Sequence, residues 1–137
     1  MACTAFGTIA TVETAMKVHH EMPHLDPDYA EGHLFNCLSP RWVGCGTGWS
    51  VTSALDVLVE ARVVDEACYP WVPGGARCWG RCTDWKSRVT KIAGSTHLTR
   101  PDDMTGWLAT RGALVATMTV YEDLYCYSGG IYEHIEE

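Results

Sequence analysis

The sequence predicts an α+β fold on two observations. Its first half carries apolar residues at helical spacing, and its last third carries alternating and β-branched runs, an order in which helices precede strands. In the first eighteen residues Ala2, Ala5, Ile9, Val12 and Met16 recur at three- and four-residue steps, with Phe6 beside them. That is the spacing of an amphipathic helix with one buried stripe. Cys3 stands at the start of this helix, where unpaired backbone N–H groups and the positive end of the helix dipole favour a thiolate. On the helix alone two readings of Cys3 stay open: a nucleophilic thiolate, or a small buried residue in a fraying first turn.

The remaining elements follow in order. His19, His20 and His24 surround the exit of the first helix, which Pro23 closes. No further ligand stands at a zinc-like spacing, so a solvated helix end is the better reading than a metal site. Asp26-Pro27 offers an N-cap with proline at the first helical position, predicting a short helix through about Asn36 with Tyr29, Ala30, His33 and Leu34 on one face. Residues 38–48 read as a glycine-rich loop, in which Gly46 and Gly48 leave backbone bare for an extended peptide to pair with. A second long helix spans Trp49 to Arg62, with Val51, Leu55, Leu58, Val59 and Arg62 in register and Thr47 or Ser50 as its cap. Trp49 reads either as core packing at that helix start or as a ligand contact. Cys68 to Gly75 is loop, with Cys78 and Cys82 close behind; a zinc knuckle from the three cysteines lacks the C-x-x-C spacing. Residues 88–94 predict a strand, and Pro101-Asp102-Asp103 opens a helix with Met104, Trp107, Leu108 and Arg111 on one side. Ala113 to Val120 predicts a buried strand, Tyr121 to Tyr127 a helical turn, and Gly129 to Tyr132 the start of another strand.

Composition excludes several classes. The chain of 137 residues is 47% hydrophobic and carries a net charge of −7, which argues against disorder and against a nucleic-acid partner. No apolar run approaches the roughly 20 residues of a membrane span, and no metal or other cofactor is expected. Seven cysteines point to a secreted or other oxidising compartment, whether extracellular, periplasmic or lysosome-like. The opening residues lack a charged segment followed by an apolar one, so no signal peptide is expected here. Both features together predict an excerpt of a longer secreted precursor, with Met1 added.

Five motifs then line up in one order. Cys3-Thr4-Ala5-Phe6 resembles the Cys-Trp-Ala-Phe run that opens the nucleophile helix of papain-like cysteine peptidases. His33 to Cys37 resembles that family's segment ending in a disulfide cysteine, and Gly44-Cys45-Gly46-Thr47-Gly48-Trp49 its Gly-Cys-x-Gly-Gly-aromatic loop. Cys68-Tyr69-Pro70-Trp71 resembles its Tyr-Pro-Tyr, and Val120 to Tyr132 the stretch leading toward its histidine. The resemblance implies a helical lobe over residues 1–87, nearly whole, and the start of a β lobe over 88–137. It implies Cys3 as nucleophile, and Gly46, Thr47, Gly48 and Trp49 as a loop along the substrate backbone. Thr117, with Ala116, falls near a substrate side chain or is plain core. It implies a Cys37–Cys78 disulfide, and Cys68 is expected to pair with Cys82.

The same resemblance identifies what departs. Thr4 replaces the usual tryptophan and Thr47 the first glycine of the loop. The family's oxyanion glutamine and the partner of Cys45 precede the nucleophile, which leaves Cys45 an orphan thiol. His134 is expected to be a decoy, with the family's histidine and asparagine further along the β lobe. The expected function is therefore peptide-bond hydrolysis through a thioester on Cys3, by a parent protein of which this piece alone is nearly inert. Alternatives are a catalytically dead binding module of the same fold, an acyl or amide transferase, and a metal-binding protein. The expected partners are a peptide or protein substrate and a second chain or copy that completes the β lobe.

Overall fold

The computed structural model describes residues 2–44 and 46–135. Cys45 therefore lies outside the described residues, as do Met1, Glu136 and Glu137. Helix α1 spans Cys3–His19 and buries Ala5, Thr8 and Ile9, while Ala2, Val12 and Met16 pack against the same core. It ends in a Schellman motif: Met22 N–H donates to the Lys17 carbonyl at 3.0 Å and Glu21 N–H to that of Val18 at 3.1 Å. Glu21 takes the left-handed conformation this requires, with φ of 53°.

The helix expected from Asp26 to Asn36 begins later. Residues 28–30 are extended, because Glu66 N–H donates to the Asp28 carbonyl and Ala30 N–H to that of Val64, at 2.8 and 2.9 Å. Those bonds compete with a helical ladder, and the local Asp-Pro signal gives way to them. Helix α2 is one short turn, Glu31–His33, running into a π-helical turn at Leu34–Leu38. The expected face nevertheless points inward, with Tyr29, Ala30, His33 and Leu34 all buried.

Helix α3 covers Val51–Glu60, shorter than the predicted 49–62, and Ser50 is its cap, accepting from Ser53 N–H at 3.1 Å. Its buried residues are Ala54 and Leu58, whereas Val51, Leu55 and Val59 are half-buried and Arg62 is exposed beyond its end. The main core joins α1, the π-helical turn and α3 through Ala5, Ile9, Leu34, Phe35, Ala54 and Leu58, closed by Trp49 and Val63. A smaller cluster of Ala30, Val64, Cys68 and Tyr69 lies beside it. Around this cluster Cys37 is bridged to Cys78 and Cys68 to Cys82, with Cα–Cα separations of 5.4 and 4.9 Å.

Strand β1, Val63–Val64, pairs antiparallel with β2, Val89–Thr90, and Tyr29 bridges to Asp65 on the other side. The strand expected over 88–94 is thus reduced to two residues. Helix α4 occupies Pro101–Thr110, opened by Pro101, Asp102 and Asp103 as expected. A 3₁₀ turn forms at Glu122–Cys126.

Two expectations fail in the last third. Ala113 to Val120 is neither paired nor buried: Ala113–Val115 is half-covered, and 116–120 is exposed, with Met118 at 59% and Val120 at 55%. Gly129 to Tyr132 likewise forms no strand. A strand needs a neighbour for its N–H and C=O groups, and among the described residues neither segment has one. Helices alongside a small sheet remain compatible with the α+β class.

Candidate active site

Cys3 is the first residue of α1, and its thiol is exposed and unbridged. The helical ladder starts with Ala5 and Phe6, whose N–H groups both reach the Ala2 carbonyl, at 2.9 and 3.2 Å. The amides of Cys3 and Thr4 therefore precede the ladder, the arrangement that stabilises negative charge at a helix start. Ala5 and Ile9 anchor the helix from below, so the sulfur is held at the rim of a packed element.

The next residue ties this rim to the glycine loop. Thr4 donates its hydroxyl to the Trp49 carbonyl at 2.7 Å across 45 positions of sequence. The loop is closed on itself by Thr47, whose hydroxyl accepts from Gly44 N–H and donates to the Trp42 carbonyl, both at 2.9 Å. Gly48 N–H donates to the Gly44 carbonyl at 3.1 Å, and Gly48 adopts φ of 71°, a left-handed conformation suited to glycine. Gly46 and Thr47 are exposed, while Gly48 and Trp49 are buried. Trp49 belongs to the core, and its indole N–H has no hydrogen-bond partner among the described residues.

Thr117 follows a segment that meets α1. The chain before it runs along α1, where a Cβ added at Gly7 would lie 3.5 Å from Val115. Thr117 itself, two residues on, is exposed, as is Ala116. On another side of α1 the Phe6 ring meets the edge of Trp71 at 5.0 Å, and Trp71 in turn neighbours Phe35. Neither the Thr4–Trp49 hydrogen bond nor the Phe6–Trp71 contact was foreseen. A hydroxyl at the second helical position was the available sign of the former.

The histidines fall into three environments. His19, His20, His24 and His97 are exposed, and the first two lie about 24 Å or more along the helix from Cys3 at 1.5 Å per residue. His33 is buried, with its Nδ1 facing Val64 N–H at 3.4 Å and its Nε2 facing Arg81 at 3.3 Å. Burial, helped by the Arg81 charge, lowers its pKa to about 4. His134 stacks on Tyr121 at 3.6 Å between ring centroids and places Nδ1 3.2 Å from the Asp123 carboxylate. Asp123 also accepts from the Tyr132 hydroxyl at 2.6 Å and from Ile135 N–H at 3.2 Å. The Tyr132 bond is the main reason the Asp123 carboxyl is held down at about 2 and the Tyr132 phenol pushed up to about 12.

No group of three or more His, Cys, Asp or Glu among the described residues is arranged to hold a metal ion. Among the described residues no helix is long and apolar enough to cross a membrane.

A family model for papain family cysteine proteases matches residues 1–137. The chain belongs to the papain family. No curated protein matches it. The two disulfides fit an oxidising compartment.

Proposed function

We propose that this chain carries the nucleophile and part of the substrate cleft of a cysteine peptidase. The single observation behind this reading is the exposed Cys3 thiol at the first position of α1, joined through Thr4 to the glycine loop. A peptide laid along Gly46, Thr47 and Gly48 offers its scissile carbonyl to the Cys3 thiolate. The sulfur attacks the carbonyl carbon, forming a C–S bond while negative charge passes to the oxygen. The Cys3 amide, ahead of the helical ladder, donates to that oxyanion. Collapse breaks the C–N bond, and an imidazolium protonates the departing amine. Water then attacks the thioester, delivering a proton to the imidazole and returning Cys3.

His33 and His134 are both engaged elsewhere in the described structure, which supports placing the imidazole outside these residues. The reading therefore has residues 1–87 as a helical lobe and 88–137 as part of a second lobe whose remainder supplies histidine and asparagine. The 137 residues alone are then nearly inert, and the parent protein works in a secreted or lysosome-like setting. Thr117 takes its place beside a substrate side chain once that lobe is complete.

The test is mass spectrometry after treatment with a peptidyl epoxide, on this chain and on a chain extended to supply the missing lobe. Adducts confined to Cys3, faster in the extended chain and abolished by Cys3→Ser, support the reading. An extended, folded chain whose Cys3 is never alkylated by the epoxide would leave a binding module instead.

A further inference from the structure

Five of the ten Lys and Arg residues, Arg77, Arg81, Lys86, Arg88 and Lys91, fall within fifteen positions that hold one acid, Asp84, although the whole chain carries −7. Arg88 is paired with Asp65, and lies 3.8 Å from Asp84. Arg77, Arg81 and Lys86 have no carboxylate partner among the described residues. They lie over indole rings instead: Arg77 is 5.0 Å from the Trp79 centroid, and Arg81 and Lys86 are 4.0 and 5.9 Å from that of Trp85. A ring beneath a guanidinium fixes its plane and leaves its in-plane N–H donors free.

Arg81 is short of acceptors. Its Nε is buried without a partner among the described residues. Its one hydrogen-bonding neighbour among the described residues is His33, whose other nitrogen faces a second donor, Val64 N–H. A neutral imidazole has a single acceptor nitrogen, so no tautomer satisfies both donors. At neutral pH that ring is uncharged and gives Arg81 no counter-charge. Arg81 also lines a cleft of about 380 Å³ with Trp79, Cys82, Thr83 and Trp85.

We propose that this cleft binds a carboxylate side chain of an acidic peptide segment, with Arg81 and Thr83 as donors and Arg77 and Lys86 as flanking charges. A planar carboxylate matches the guanidinium fork. The choice of a polypeptide over another polyanion rests on the peptidase reading above; the unpaired cations do not.

The test is fluorescence anisotropy of a labelled Glu-rich peptide against the full, disulfide-bonded chain at low and moderate salt. Binding is expected, weaker at the higher salt because exposed charges are screened. It should fall about tenfold in Arg81→Gln and about threefold in Arg77→Gln or Lys86→Gln, and stay unchanged in Arg111→Gln. Arg81→Lys, which keeps the charge without the fork, should fall between. If Arg81→Gln loses its near-ultraviolet circular dichroism, the doubly substituted Arg77→Gln, Lys86→Gln chain carries the test. No binding, equal binding by all variants, or preference for a sulfated oligosaccharide through these same residues would overturn the proposal. Peptide binding without Cys3 alkylation by the epoxide in the extended chain would count against the peptidase reading alone, and alkylation without peptide binding against this site alone.

Discussion

Val51–Glu60 and Ala113–Val120 are both rich in apolar residues, and they end in opposite states. The first is a helix packed on α1; the second is an unpaired segment whose last five residues are exposed. The division runs through the whole molecule. Every buried residue among those described lies between Ala5 and Tyr69, and none from Pro70 to Ile135 is buried. A helix satisfies its own backbone and needs only a face to pack against, whereas a strand depends on a neighbour for every second group. Apolar sequence therefore becomes core where local hydrogen bonding is self-sufficient, and elsewhere it waits on pairing.

The sharpest way to break this contrast is to cut the bridges that close the buried region. Replacing Cys37 and Cys78 by serine should lower stability by about 4 kcal/mol and replacing Cys68 and Cys82 by about 3, from the loop entropy each bridge removes. Urea unfolding followed by tryptophan fluorescence measures both. Next, Ile9→Ala should remove about 3 kcal/mol, while Met118→Ala should change the same midpoint by less than about 0.5 kcal/mol. Equal losses would show the two regions to be packed alike.

A pH series sharpens the comparison further. The His33 pKa is lowered from 6.5 to about 4 by burial, so the unfolded chain takes up the proton first. Its contribution is whole above pH 6.5 and falls as the pH drops toward 4, by on the order of 3 kcal/mol in all. His33→Gln should flatten that limb of the urea midpoint against pH. A smaller gain is expected from Glu21→Gly, about 0.5–1 kcal/mol, because glycine accepts the left-handed turn without a Cβ. Asp123→Asn should leave the global midpoint alone and speed amide exchange at Ile135. In the unsubstituted chain the Asp123 contacts should hold above its ordinary carboxyl value and be lost as the pH falls through about 2.

The same division decides what the sequence made legible. The stripe from Ala2 to Met16 is a local pattern, and α1 is where that pattern puts it. Asp26-Pro27 is also a local pattern, but the backbone of 28–30 is claimed by residues 64–66, nearly forty positions away. The β-branched run at 113–120 signals strand propensity and says nothing of where a partner lies. At the candidate site, motif spacing pointed to Cys3 and to the loop around Gly48. The Thr4–Trp49 hydrogen bond joining them crosses 45 positions of sequence, so neither neighbourhood announces it.

That bond makes the loop and the sulfur mechanically answerable to each other. Thr4 grips the carbonyl just past Gly48, so an object that draws the loop aside pulls on the residue adjoining the thiol. Occupancy of the loop is then readable at a distance, as a change in how quickly Cys3 is alkylated.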